Sequence, residues 1–97
     1  MYGMFFGSKF TGKHTDVSVW DVSNVKNMSN MFTYSYFNSN ISDWDVSNVT
    51  DMCRMFYYNK EFNQNISNWV INDNCDTDKM FYFCPIKNEY KPKKLQD

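Results

Sequence analysis

The stretch WDVSNVTDMCRMFYYNKEFNQNISN fills residues 44–68, and residues 20–43 carry nearly the same stretch, WDVSNVKNMSNMFTYSYFNSNISD. A third copy opens at Trp69 and keeps Met80 at the place that Met55 holds in the second copy. A period of this length is typical of repeat proteins, in which one unit cannot bury its apolar face alone and stacks on its neighbours. The sequence therefore predicts a stack of repeats, a solenoid.

The copies differ in completeness. The third copy replaces Met52 by Thr77 and loses other apolar residues, as a terminal repeat with a polar outer face should. We therefore predict one domain over residues 1–90, made of a partial copy at 4–19, full copies at 20–43 and 44–68 and a degenerate capping copy at 69–90, followed by a polar basic tail at 91–97.

The apolar spacing inside each copy predicts its secondary structure. Met52, Met55, Phe56 and Asn59 follow the i, i+3, i+4, i+7 pattern of a short amphipathic helix, and the first full copy repeats that pattern. Short strand pieces are expected around 41–44 and 66–69, where they would pair in parallel between stacked copies. The predicted fold class is thus α/β, a short solenoid in which each repeat has short parallel strand pieces and one short helix.

Large apolar residues that recur at one place in successive copies form the predicted core. Asn residues that recur, such as Asn40 and Asn65, are expected to bind backbone groups of their own and neighbouring turns. The predicted core comprises Trp20, Met28, Met31, Phe32, Phe37, Ile41, Trp44, Met52, Met55, Phe56, Phe62, Ile66, Trp69, Met80 and Phe81.

Residues that usually carry chemistry are few in this chain. His14 is the only His, and the three cysteines lack the CxxC spacing of a zinc site. Cys53 and Cys75 lie about one repeat apart, so a disulfide and two free thiols both remain open. Asp21 and Asp45 recur at one repeat position and are interpreted as turn or cap residues rather than a catalytic pair. We predict no enzyme activity, no cofactor and no metal site.

The net charge and the hydropathy of the chain limit the classes of partner that we expect it to bind. The net charge is −1, without the basic face that nucleic-acid binding needs. No apolar stretch is long enough to cross a membrane, so no membrane insertion is expected from these residues. A protein partner or self-association is the remaining expectation.

Two surfaces are candidates for such contacts. The first is an apolar N-terminal edge, which would dock on another chain, and the second consists of outward side chains in the repeats. The edge comprises Met4, Phe5, Phe6 and Phe10, and the outward side chains are Asp21, Asp45, Tyr34, Tyr57 and Tyr58.

The string W-D-V-S-N-V-T-D-M-x-x-M-F at 44–56, followed by F-N-x-x-I-S-x-W at 62–69, resembles the repeat of BspA-like leucine-rich-repeat surface proteins. The resemblance covers about residues 4–84. It implies a leucine-rich-repeat solenoid with a non-enzymatic role in surface display, adhesion or protein interaction, as in bacterial surface lipoproteins and giant-virus repeat proteins.

A location at a cell surface or in a virion follows from the same resemblance, although no signal peptide or anchor is recognised in this chain. The alternative function is a structural one, in which the chain is a building piece of a larger assembly or virion and docks through its apolar N-terminal edge.

Overall fold

Backbone hydrogen bonds between successive copies organise this protein, whose computed structural model describes residues 17–97. Alternate N–H groups of one copy donate to carbonyl groups of the next, with N···O distances of 2.7–3.0 Å. From the first full copy to the second, these bonds join Met28 to Asp51, Asn30 to Cys53, Phe32 to Met55 and Tyr34 to Tyr57. From the second copy to the third they join Met52 to Asp76, Arg54 to Asp78, Phe56 to Met80 and Tyr58 to Tyr82.

The prediction of an α/β solenoid is wrong. Residues 17–97 contain no α-helix, and their only helical segments are three-residue 3-10 helices at Val17–Val19, Asn88–Tyr90 and Lys93–Leu95. The same residues contain no continuous strand, because the parallel pairing is limited to isolated bridges between Asn27 and Asp51 and between Asp51 and Asp76.

The helix predicted over residues 52–59 is a run of tight turns. The N–H groups of Met55 and Tyr57 donate to carbonyls three residues back, at 3.1 and 3.2 Å. The alternating N–H groups of Arg54, Phe56 and Tyr58 donate to the third copy, so the i to i−4 bonds of an α-helix do not form. Arg54 and Tyr58 also have positive φ, 56° and 55°, outside the right-handed helical region.

The predicted strand pieces around 41–44 and 66–69 are turns as well. The backbone N–H of Trp44 donates to the carbonyl of Ile41 at 3.1 Å, and the Oδ1 atom of Asn40 accepts the N–H of Ser42 at 2.9 Å. The next copy repeats both bonds. Because the Asn side chain satisfies the backbone locally, it competes with strand pairing.

The core is a stack of equivalent side chains. The rings of Phe32 and Phe56 lie parallel with centroids 5.5 Å apart, and Phe81 continues the column at 5.7 Å. All of the predicted core residues are buried except Trp20 and Phe81, which are partly buried and pack against the others. The core also includes Val17, Val22, Val46, Val49, Ile71 and Ile86, which the prediction omits.

The tryptophans connect the copies through polar as well as apolar contacts. The indole N–H of Trp44 donates to the carbonyl of Val17 at 2.9 Å, and that of Trp69 donates to the carbonyl of Ile41 at 3.0 Å. Trp44 also stacks on Trp20, with centroids 6.4 Å apart. Each buried indole therefore finds the partner that its N–H requires two copies earlier in the sequence.

We expect Trp44→Ala to lower the free energy of unfolding by about 3–5 kcal/mol, because it removes a buried ring from the middle of the stack. Trp44→Phe should cost less, since it keeps an aromatic ring and leaves the Val17 carbonyl with the Trp20 N–H as its remaining donor. Urea denaturation measures both changes, with Val70→Ala at an exposed position as the control. An unchanged midpoint for Trp44→Ala would contradict the packing described here.

A Gly and Ala comparison at Arg54 tests the turn. At a φ of 56° an L-residue is disfavoured by roughly 1–2 kcal/mol and Gly is not, so Arg54→Gly should be more stable than Arg54→Ala by about 0.5–1 kcal/mol. Both substitutions remove the Arg side chain equally. In an α-helix the order would be reversed by about 1 kcal/mol, so a more stable Ala variant would contradict the turn.

Candidate functional site: an exposed aromatic face

Aromatic side chains at one repeat position form a continuous exposed surface. Tyr34 stacks on Tyr58 with centroids 5.0 Å apart, and Tyr58 stacks on Phe83 at 4.4 Å. Tyr34 and Phe83 at the two ends are 51% and 62% exposed. We call this surface the aromatic face and define it as Tyr34, Tyr57, Tyr58, Tyr82 and Phe83.

The two remaining tyrosines pack edge-on against this column. The ring of Tyr57 lies nearly perpendicular to Tyr34 at 6.1 Å and to Tyr58 at 4.7 Å, and Tyr82 lies perpendicular to Phe83 at 6.3 Å. Edge-to-face pairs of this kind are favourable and restrict ring movement. The aromatic face is therefore preorganised.

A cation borders the aromatic face. The guanidinium carbon of Arg54 lies 5.9 Å from the centroid of the Tyr57 ring, within the range of a cation–π contact. Arg54 itself is exposed. The face thus offers aromatic carbon, phenol hydroxyls and one positive charge to a partner.

The residues that carry the stacked rings have unfavourable backbone dihedral angles. Tyr34, Tyr58 and Phe83 have φ values of 55°, 55° and 58°. Such values are outliers for bulky residues and cost roughly 1–2 kcal/mol each, whereas Gly or Asn tolerates them. Stacking offsets part of this cost, at about 0.5–1.5 kcal/mol per ring pair. Positive φ also recurs at Asn30, Arg54 and Lys79, so the feature specific to this position is the aromatic side chain that each copy places there.

The next residue in each copy fixes the direction of the turn. Asn59 is fully buried after Tyr58, and its Oδ1 atom accepts the N–H groups of Glu61 and Phe62, each at 3.0 Å. Its Nδ2 atom donates to the carbonyl of Phe37 in the preceding copy at 3.1 Å. The chain therefore turns inward at Asn59 while the Tyr58 ring stays outside.

The predicted acidic interaction residues belong to other turns. The Oδ1 atom of Asp45 accepts both the hydroxyl and the N–H of Ser47, at 2.6 and 3.1 Å, and Asp21 binds Ser23 in the same way. These bonds, the hydroxyl bond first, hold the pKa of each carboxyl below its ordinary value. Both aspartates thus serve as turn residues, as the sequence indicates.

One group of side chains is close enough to hold a cation. Ligand atoms of Asp51, Cys53 and Asp76 lie within 4.8 Å of one another. The Oδ1 atom of Asp51 already accepts the N–H of Cys53, and that of Asp76 accepts the N–H of Asp78, each at 3.0 Å. This geometry is fully explained by the turns of the repeat.

The cysteines are structural. Cys53, Cys75 and Cys84 are all free thiols, so Cys53 and Cys75 are not joined by a disulfide. The Cys84 thiol donates to the carbonyl of Phe62 at 3.4 Å, at the repeat position that Ser35 and Asn59 occupy. Burial raises the pKa of Cys84 to about 11, so this thiol is protonated at neutral pH.

The aromatic face contains Tyr34, Tyr57 and Tyr58, three of the predicted contact residues. The prediction misses Phe83, although it follows Met80 by three residues as Tyr58 follows Met55, so the repeat alignment carried the signal. The predicted N-terminal edge, comprising Met4, Phe5, Phe6 and Phe10, lies outside the residues that the structure describes.

A pH series tests the turn role of Asp45. Its folded pKa is below the ordinary 3.8, so the stability from the Ser47 bonds is fully present above pH 3.8 and is lost as the pH falls through the folded pKa. Asp45→Asn keeps an oxygen acceptor and does not titrate. We expect the stability difference between the wild type and this variant, measured by urea denaturation, to change below about pH 4 and to be constant above it. Parallel curves down to pH 2 would contradict the assignment.

Comparisons with known proteins place the chain in a family. The model of the family described as "Mycoplasma protein of unknown function, DUF285" matches residues 1–91. No curated protein and no solved structure matches the chain significantly. Within residues 17–97, no helix is both long and apolar enough to cross a membrane. With nearly its whole length matched, repeats included, this chain belongs to the DUF285 family of Mycoplasma proteins.

Proposed function

We propose that this protein is a non-enzymatic module that binds another protein through the aromatic face. The observation that carries the proposal is the stacked column of Tyr34, Tyr58 and Phe83, which is exposed at both ends and held at positive φ. Gly or Asn at this position would adopt the positive φ without an offsetting stack.

The chemistry of the face suits a protein partner. Tyr and Arg are enriched among the residues that contribute most to protein interfaces, and Arg54 borders the rings here. Tyr provides a large amphipathic contact area and has few rotatable bonds. Because the ring contacts already restrict these side chains, binding would order them at little further entropic cost.

The states of the titratable groups favour binding over catalysis. The carboxyls of Asp21 and Asp45 have lowered pKa values and accept turn hydrogen bonds, which makes them poor acids and bases at neutral pH. The thiol pKa values of Cys53, Cys75 and Cys84 are raised by burial, whereas a nucleophilic thiol needs a lowered one.

The sequence resemblance favours a surface location for the proposed binding. The DUF285 match and the similarity of the repeat string to that of BspA-like surface proteins favour display at a surface, where the module would act in adhesion or partner capture. The resemblance is used for the sequence motif alone, because the turns of residues 17–97 exclude the leucine-rich-repeat fold that it implies.

A peptide selection tests the proposal without a known partner. A phage-displayed library of random peptides is selected on the immobilised protein, and the enriched peptides are measured against Tyr58→Asn and Phe83→Asn. Asn tolerates the positive φ, so both variants should fold with nearly unchanged stability. We expect them to bind the peptides at least tenfold more weakly, as for residues at the centre of an interface.

The matched control is Val70→Asn, which removes an equally exposed apolar side chain that is not part of the aromatic face. It should bind the selected peptides like the wild type. Peptides that bind all three variants equally, or a selection that enriches no peptide, would overturn the proposal.

A further inference from the structure

The third copy presents a row of backbone donors that the structure leaves unused. The N–H groups of Thr77, Lys79, Phe81 and Phe83 stand where Met52, Arg54, Phe56 and Tyr58 stand in the second copy, which donate to the third. Within the part of the chain that the structure describes, no group accepts a hydrogen bond from these four. We call this row, Thr77, Lys79, Phe81 and Phe83, the open edge.

We propose that a second copy of this chain docks on the open edge, head to tail, and accepts hydrogen bonds from these N–H groups with its carbonyl groups. The site is separate from most of the aromatic face and does not depend on the proposed binding function. A row of unpaired backbone groups at two-residue spacing is a ready template for another chain.

The two interfaces between copies within the chain show which partner accepts hydrogen bonds from such a row. The first copy donates from alternate residues to the second, and the second donates to the third, with N···O distances between 2.7 and 3.0 Å in both interfaces. Phe32 and Phe56 stack across the first interface, and Phe56 and Phe81 stack across the second. The open edge repeats the donor spacing of both interfaces, so another repeat is the occupant that fits it.

The column of stacked Phe rings ends at the open edge, where no further copy covers its last ring. Phe32 and Phe56 are fully buried, whereas Phe81 is partly exposed. A shallow cavity of about 190 Å³ lies beside Phe81, between the third copy and Leu95 of the C-terminal segment. A docked copy would bury Phe81 as the internal copies bury Phe32 and Phe56.

Positive charges at the open edge do not block docking. Arg54 holds the place of Lys79 in the second copy, remains exposed and still donates its N–H to the third copy. Lys91 and Leu95 are the side chains that would have to move, because the Lys91 Nζ atom lies 5.7 Å from the Phe81 ring centroid and Leu95 lines the cavity beside Phe81. We therefore expect association to be weak and to strengthen in Lys91→Ala.

The sequence indicates which end of the second copy docks. Met4, Phe5 and Phe10 repeat the spacing of Met31, Phe32 and Phe37, so residues 4–19 form the partial copy before the first full copy in the sequence, and their structure lies outside the described residues. Contact between this end and an open edge joins two different surfaces. Such head-to-tail contacts do not close at a dimer unless they form a ring.

The test measures solution mass by size-exclusion chromatography with light scattering over a concentration series. Chemical ligation at Cys53 supplies a chain in which an N-methyl group replaces the Phe81 N–H hydrogen, while the Met80 carbonyl stays an amide acceptor for the Phe56 N–H. The matched control carries the same N-methyl group at Val70, an exposed residue away from the open edge. Loss of one such bond should weaken association about five- to tenfold, with the melting temperature of the monomer unchanged.

The wild type should grow in mass with concentration and pass beyond the dimer, Lys91→Ala should do so at lower concentration, and the N-methyl-Val70 chain should match the wild type. A wild type that stays monomeric would overturn the proposal. So would a mass that stops at the dimer, or an N-methyl-Phe81 chain that associates as strongly as the wild type. Peptide binding by the aromatic face of the monomer is measured separately and does not depend on these outcomes.

Discussion

The hydrogen bond from every second N–H group to the following copy is the constraint on which the rest of this structure depends. Once Met28, Asn30, Phe32 and Tyr34 donate outward to the next copy, the residues between them can bond only within short turns. The backbone then lacks the i to i−4 bonds of a helix, and the two-way exchange of a sheet is limited to the isolated bridges between Asn27, Asp51 and Asp76. What remains is a coil of turns in which equivalent residues lie above one another, so each side-chain type forms its own column.

The surface follows from the same constraint. A chain that donates at every second residue and also turns inward at Asn59 requires positive φ at Tyr58, and the same holds for the equivalent residue of each copy. The side chain at this position then points away from the core, and stacking of successive copies brings the three rings to within 4.4–5.0 Å of their neighbours. The aromatic face is therefore a product of the stack, and its chemistry is set by the choice of Tyr and Phe where the backbone favours Gly.

Sequence reasoning predicts the repeat and its core but not the backbone. The columns of Phe, Met and Trp can be predicted from the repeat length, because any backbone that repeats every 24 or 25 residues stacks the equivalent residues of successive copies. The spacing of Met52, Met55 and Phe56 fits a helix and this run of turns equally well, since both bury the same three side chains. A signal for the turns does exist: Gly3 and Gly7 precede Asn30 and Tyr34 by the same interval that separates Met4 from Met31, and Asn30 and Tyr34 both have positive φ.

The central claim concerns which carbonyl accepts the N–H of Phe56. Scalar couplings transmitted through hydrogen bonds identify that carbonyl directly, by a long-range HNCO experiment on the uniformly ¹⁵N,¹³C-labelled protein. The structure predicts a coupling between the Phe56 nitrogen and the carbonyl carbon of Met80 in the next copy. A coupling to the carbonyl carbon of Met52 instead, four residues back in the same copy, would show an α-helix and contradict the account.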